Sequence, residues 1–226
     1  MVLIEAKKVE KEYITQAGSI RVLRNINLCV KNGEFVGIVG PSGSGKSTLL
    51  YVLSGLEKPT SGEIMLFGKS TAEMNDADMN AIRKSKIGFV FQFYNLLPNL
   101  TVLENVELPL VIAKQTDLSK AIEALKMVNL DKYLTLYPAQ LSGGMQQRVA
   151  IARAMVTNPK ILFADEPTGN LDHQSSIEII EILKNLNQKQ QTTIVLVTHN
   201  LEHMAYCSRK IEIIDGNIGE DERTRF

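Results

Sequence analysis

"FVGIVGPSGSGKSTLLYVL", Phe35 to Leu53, changes character twice. It opens as an apolar run, crosses a loop containing Gly40, Gly43 and Gly45, and closes with helical spacing. Near-continuous apolarity is how a strand buried on both faces of a parallel sheet reads. Strand, glycine loop and helix is the order that a phosphate-binding loop requires, and "GPSGSGKST" fits G-x-x-x-x-G-K-[ST]. Glycines let successive amides turn inward around phosphate oxygens, and the helix N-terminus adds the positive end of its dipole. Gly40, Pro41, Ser42, Gly43, Ser44, Gly45, Lys46, Ser47 and Thr48 are therefore candidate ligands for a nucleotide triphosphate. Lys46 would reach the β- and γ-phosphates, and the Ser47 hydroxyl would complete a Mg²⁺ shell.

A phosphate loop needs a carboxylate for its metal. "ILFADE" (161–166) ends an apolar run in Asp165-Glu166, at the carboxyl end of a strand, where ligands of α/β sheets bind. Asp165 is the expected Mg²⁺ holder, acting through water. Glu166 is placed to polarise the attacking water as general base.

Further apolar runs extend the α/β pattern. "IGFVFQ" (87–92), "KILFAD" (160–165) and "TTIVLVT" (192–198) read as buried parallel strands. "NINLCV" (25–30), "EIMLFG" (63–68) and "KIEIID" (210–215) alternate beside turn signals, and are expected to be antiparallel and half exposed. Between Thr101 and Met155 the strand signal gives way to helical spacing in "TVLENVELPLVIA", "LSKAIEALKMVNL" and "GMQQRVAIARAM". Pro98, Pro109, Pro138 and Pro159 serve as punctuation there. The expected architecture is an α/β core with a mostly parallel sheet, an antiparallel β subdomain and an inserted helical subdomain. One domain is expected over 1–226, with its core at about 1–92 and 156–226 and the helical part at about 93–155.

The chain has 226 residues, enough to bury a substantial core. Lysine plus arginine and aspartate plus glutamate both number 25. This balance gives no chain-wide electrostatic grip on nucleic acid, and no nucleic-acid partner is expected. Cys29 and Cys207 stand far apart without a CxxC or Cys/His cluster, and read as reduced structural thiols of a cytosolic protein. "MVLIEAKKVEKEY" is too charged for a signal peptide, and no run of about eighteen apolar residues occurs that would cross a bilayer. Work at a membrane would need a partner.

One stretch resists a purely local reading. "QLSGGMQQRVAIARAM" (140–155) opens a helix with a serine and two glycines, although each glycine costs about 1 kcal/mol in a helix relative to alanine. With the phosphate loop and Asp165-Glu166, this stretch resembles the signature of ATP-binding subunits of ABC transporters. The resemblance spans nearly the whole chain. It implies that Ser142, Gly143, Gly144 and Gln146 act in trans, on ATP held by a second copy. Their hydroxyl and bare amides would form a second anion-binding face at a helix N-terminus. A side chain at either glycine would keep that backbone from the phosphate.

The same resemblance assigns further residues one by one. Tyr13 is similar to the aromatic that stacks on adenine. Gln92 looks like the glutamine that senses Mg²⁺, in the loop contacting the membrane subunits. "GNLD" (169–172) resembles the loop joining the two active sites, with Asp172 as its acid, and His199 matches the switch histidine at the γ-phosphate. "HNLEH" (199–203) also fits the zinc-hydrolase pattern H-x-x-E-H, which needs both histidines on one helix. His199 closes a strand run instead, so zinc is not expected. His173 reads as a solvated surface residue.

"PTGNLD" (167–172), "ITQAGSIRVL" (14–23) and "LENVELPLVIA" (103–113) are similar to the branch of lipoprotein-release, macrolide-efflux and antimicrobial-peptide-export ATPases. The stop soon after "DGNI" is expected to leave no room for a C-terminal regulatory domain. Chromosome-organising relatives would carry long heptad insertions, translation-factor relatives two phosphate loops, and small kinases no "LSGGMQQ". The resemblance thus implies an ATP- and Mg²⁺-dependent homodimeric ATPase. It would sit in the cytoplasm at the inner face of the membrane, through an integral membrane permease. A non-transport membrane complex, of cell-division or sensory type, is the alternative.

Overall fold

The computed structural model describes residues 1–16, 18–115 and 117–223. Two sheets organise the chain. The larger has six strands: β3 (Phe35–Val39), β6 (Ile87–Phe91), β7 (Ile161–Asp165), β8 (Thr193–Val197), β9 (Arg209–Ile214) and β10 (Asn217–Arg223). Their order is β10-β9-β3-β8-β7-β6. Every neighbouring pair is parallel except β10 with β9. β3, β7 and β8 are buried at every residue, as their unbroken apolarity requires.

The smaller sheet has the order β2-β1-β4-β5, built from β1 (Val2–Thr15), β2 (Gly18–Lys31), β4 (Ser61–Leu66) and β5 (Lys69–Ser70). All of its pairs are antiparallel.

Alternation along β3 divides the core. Phe35 and Val39 join one apolar cluster, whereas Val36 and Ile38 join another. The second cluster lies between the two sheets and includes Leu49, Leu50, Val52 and Leu53 of α1 (Lys46–Leu53). The first carries four further helices: α3 (Val102–Ile112), α4 (Leu118–Met127), α5 (Gly143–Met155) and α6 (His173–Gln190). Leu50 and Leu183 have no exposed surface, and truncating either to alanine would cost about 2–5 kcal/mol.

Caps explain most helix starts. Thr101 and Glu104 form a reciprocal capping box before α3, and Ser142 and Asp172 cap α5 and α6 through their side chains. α1 ends at Leu53, two residues before Gly55, which takes a left-handed φ of 71°.

Three readings are corrected. "KIEIID" falls in β9, which pairs parallel with β3 on one side and antiparallel with β10 on the other. Its alternation reflects a position one strand from the sheet edge. Pro109 does not punctuate; it lies inside α3. Its missing N–H would have bonded the Asn105 carbonyl. Asn105 is fully buried, and its side chain fixes the preceding turn by bonding Leu97, Leu100 and Thr101. Finally, β1 and α2 (Asp76–Lys86) are regular elements that the apolar pattern did not single out.

Candidate functional site: a phosphate loop and its carboxylates

Sheet order converts distant sequence positions into one site. β3, β8, β7 and β6 are parallel neighbours, so their carboxyl ends share one edge. Register is close: Ile38 pairs with Val197, Val197 with Asp165, and Asp165 with Phe91. The residues that follow those strands are the Gly40 loop, His199, Glu166 and Gln92. This is the edge where ligands of open α/β sheets bind.

The loop from Gly40 to Gly45 turns directly into α1. Gly40 and Gly45 have φ of 150° and 101°, conformations open to glycine and strained for other residues. A β-carbon on Gly40 would also clash with the Ile213 carbonyl oxygen. Lys46 is buried, and its Nζ donates to the carbonyls of Gly40 and Pro41 at 2.9 and 2.8 Å. A cavity of about 270 Å³ opens here, lined by Ser42, Gly43, Gly45, Lys46, Ser47 and Glu166. Beside it, the buried Ser44 hydroxyl has no hydrogen-bond partner among the described residues. An orphan donor in such a loop fits a phosphate ligand.

The carboxylates lie across from α1. Ser47 Oγ donates to Asp165 Oδ1 at 2.8 Å, and the Tyr51 hydroxyl donates to Asp165 Oδ2 at 2.7 Å. Asp165 is 8% exposed. Burial first, and the Asp165 carboxylate next, push the Tyr51 phenol above its ordinary value, so it stays a donor. A buried carboxylate beside a hydroxyl is a hard-oxygen pair. Mg²⁺ takes one or two carboxylates together with substrate phosphates, so this donor set fits it.

Glu166 has a left-handed φ of 46°, uncommon for a residue with a side chain. Its amide donates to the Val197 carbonyl at 2.9 Å, which ties the turn to β8. Its Oε2 lies 2.5 Å from His199 Nδ1. Backbone strain at such a position is characteristic of functional sites.

His203 is separate from this pair. Its Nδ1 lies 3.1 Å from the Thr198 hydroxyl and its Nε2 lies 3.3 Å from Asn200 Nδ2. Burial holds its pKa below the ordinary value. The two histidines of "HNLEH" thus have different partners. His173 is exposed at the start of α6.

Gln92 is held by the segment after β7. Its Nε2 donates to Asn170 Oδ1 at 3.1 Å, and Asn170 returns a bond to the Gln92 carbonyl at 3.3 Å. Gln92 is thereby tied to "GNLD". Asp172 of that loop accepts from the Ser175 hydroxyl at 2.7 Å and the Ser175 amide at 2.9 Å. Those two bonds hold its pKa below the ordinary carboxylate range.

Tyr13 lies on β1 with its hydroxyl donating to Glu57 Oε2 at 2.6 Å. Lys11 bonds the same carboxylate oxygen at 3.3 Å, and its ammonium lies 4.9 Å from the Tyr13 ring centroid. Burial and then Glu57 raise the Tyr13 pKa.

Ser142, Gly143 and Gly144 start α5, with Ser142 Oγ accepting from the Met145 amide at 3.3 Å. Gln146 donates to the Leu141 carbonyl at 3.2 Å. A β-carbon on Gly143 would meet the Tyr94 hydroxyl at 2.7 Å, and one on Gly144 the Ser175 hydroxyl at 2.9 Å. The nearest atoms therefore belong to the segments after β6 and around the start of α6, not to the phosphate loop. Within one chain, Lys46, Ser47, Asp165, Glu166 and His199 come together, while Ser142–Gln146 form a separate face.

Tyr51, Tyr94, Asn170 and Glu57 were not singled out by sequence reasoning. Tyr51 had a usable signal, since it stands four residues after Ser47 on the same helix face. The other three make contacts that only tertiary structure creates.

Comparison with known proteins agrees with this geometry. The family model described as "ABC transporter" matches residues 23–169. An uncharacterized ABC transporter ATP-binding protein of Methanocaldococcus jannaschii is 46% identical over 230 residues, covering 99% of this chain and 98% of that one. A lipoprotein-releasing system ATP-binding protein of Geobacter metallireducens is 46% identical over 222 residues, covering 97% and 99%. A solved dimer of the archaeal cassette, in a post-hydrolysis state bound to ADP and Pi, superposes with a TM-score of 0.91. It is 44% identical and covers 99% of this chain and all of its own. With its loop, carboxylates and glycine-rich helix start in this arrangement, the chain belongs to the ABC transporter family, as an ATP-binding cassette that hydrolyses ATP.

Proposed function

We propose that this chain is the motor subunit of a membrane transporter, and that two copies close around two ATP molecules. The observation that carries the reading is the division of the site into two faces. Lys46, Ser47, Asp165, Glu166 and His199 gather at the strand ends, whereas Ser142, Gly143 and Gly144 present amides elsewhere on the chain. A second copy would bring its Ser142–Gly144 face to the first copy's phosphates, with Asp172 at the junction. The relative solved as a dimer bound to ADP and Pi supports the pairing of two copies. The chain works as one domain, its core at about 1–92 and 156–226 and its helical part at about 93–155.

In this pocket Gly40–Thr48 wrap the phosphates and Lys46 exchanges its loop carbonyls for phosphate oxygens. Tyr13 stacks on adenine. Ser47, Asp165 and Gln92 would hold Mg²⁺, which would supply neutralisation of charge on the transferred phosphoryl group. Glu166 takes the proton of the attacking water, and His199 orients Glu166 and reaches the γ-phosphate. Gln92 must leave Asn170 to join this set, which couples nucleotide binding to the loop at 169–172.

The permease is proposed from a groove beside β6. Phe89, Phe91, Leu108, Pro109 and Ile112 line a cavity of about 340 Å³ with Arg83 at its side. Phe93, Val111 and Ile112 are exposed. Such a patch fits an apolar cytoplasmic segment of an integral membrane protein. No helix among the described residues is long and apolar enough to cross a membrane, so the chain would lie at the inner face through that partner. The lipoprotein-releasing relative supports an exporter or a lipoprotein- or peptide-extruding system.

Affinity purification of the chain from detergent-solubilised native membranes tests this reading. An integral membrane protein should copurify with the parent and be lost from Ile112→Asp, while ATP-dependent dimerisation persists. Equal recovery with both would place the permease contact elsewhere.

A further inference from the structure

Asp165 has two carboxylate oxygens, and each accepts a hydroxyl from the same helix. Ser47 and Tyr51 stand four residues apart on α1, so one face of one helix presents both donors. The distances are 2.8 Å to Oδ1 and 2.7 Å to Oδ2. A carboxylate held by one donor can still rotate about its terminal bond, a soft torsion. Two donors, one on each oxygen, fix its plane. An ionised carboxylate offers about four lone-pair sites. Two are committed here, and the remaining two have defined directions.

We propose that Tyr51 is a positioning residue for the catalytic metal: its hydroxyl locks the Asp165 carboxylate in the orientation that receives Mg²⁺ or its water. Tyr51 touches neither nucleotide nor metal in this role; it acts through Asp165. The proposal rests on the reading of Asp165 as the metal's carboxylate. Outer partners of this kind characteristically change metal affinity about 10- to 100-fold when removed. Loss of one of two hydrogen bonds belongs at the lower end of that range.

The test uses the whole chain in a Glu166→Gln background, so that turnover does not consume the nucleotide. Mg²⁺ is titrated at fixed trinitrophenyl-ATP, and fluorescence reports binding. Tyr51→Phe keeps the ring and removes only the hydroxyl. It should raise the Mg²⁺ half-saturation about tenfold, with the melting temperature and the affinity in EDTA unchanged. Tyr51→His supplies a ring N–H and should recover part of the difference. It also serves as the measured variant if Tyr51→Phe is poorly folded, with a half-saturation still above the parent's.

Asp165→Asn, run in parallel, separates the two layers of the argument. If it leaves the Mg²⁺ requirement unchanged, the metal assignment fails and the proposal falls with it. If Asp165→Asn raises the requirement while Tyr51→Phe matches the parent, the assignment stands and Tyr51 is a packing residue only.

Discussion

The Tyr94 hydroxyl lies 2.7 Å from the point where a β-carbon on Gly143 would sit. The same segment is fastened to α5 by Gln147, which donates to the Phe91 carbonyl at 3.1 Å. Arg153 adds bonds to the carbonyls of Tyr94 and Asn95 at 3.0 and 2.7 Å. Gly143 is therefore small for two separable reasons: its neighbour Tyr94 within the chain, and the phosphate proposed across the dimer. Gly143→Ala is expected to destabilise the fold by about 1 kcal/mol, the low end for overpacking, because it meets only the far end of the Tyr94 side chain. Adding Tyr94→Phe removes the hydroxyl and should restore the melting temperature without restoring ATP-dependent dimerisation. Full recovery of dimerisation in the double variant would show that Tyr94 alone imposes the glycine.

Glu166→Gln keeps the side chain's shape but cannot accept the water's proton. Turnover should fall by about 10²- to 10⁴-fold while ATP binding persists. Phosphate release measured under single-turnover conditions checks this. Near-normal release would remove Glu166 from the general-base role.

Tyr13→Ala should raise KM with little change in kcat, because stacking on adenine is the same in ground and transition states. Tyr13→Phe loses only the hydroxyl bond to Glu57 and should keep most of the affinity. Equal nucleotide affinity in the wild type and Tyr13→Ala would refute the adenine assignment.

The two thiols should differ sharply in reactivity. Cys207 has no exposed surface, and burial pushes its thiol up to about 12, whereas Cys29 is half-buried. A disulfide reagent at pH 8 should label Cys29 in the native chain and reach Cys207 only in denaturant. The sign of the stability effect follows from the raised folded value. The contribution is fully present below the ordinary thiol value and is lost as pH rises from about 9 to about 12. Cys207→Ala should flatten the alkaline limb of the stability curve over that window. An unchanged limb would contradict it.

Local chemistry made the site core readable. Strand β3, its glycine loop and α1 are contiguous, and Asp165-Glu166 directly ends an apolar strand. The expected Ser47–Asp165 neighbourhood follows from the parallel register of β3, β8 and β7. β1 was less legible, because "VLIEAKKVEKEYIT" mixes charges into a strand whose exposed face is polar. α2 has one buried residue, Met79, so its apolar period is faint; its start is marked by the Asn75–Asp78 capping box. Pro109 misled because packing can hold a proline inside a helix, and here Val106 and Leu110 beside it are buried in the core. Tyr94, Asn170 and Glu57 act on residues reached only through the fold, which no periodicity reports.

Ser142–Gly144 are proposed to serve ATP bound to another copy of the chain. The direct measurement is ATP-dependent dimerisation of two crippled chains, Lys46→Ala and Ser142→Arg, each carrying Glu166→Gln, by gel filtration alone and mixed. Each homodimer has two defective pockets. The mixed dimer pairs the intact phosphate loop of one chain with the intact Ser142 face of the other. Dimerisation greater in the mixture than in either chain alone is the predicted result. Stable closure of the Ser142→Arg homodimer, equal to that of the parent Glu166→Gln chain, would contradict a role for Ser142–Gly144 across the dimer.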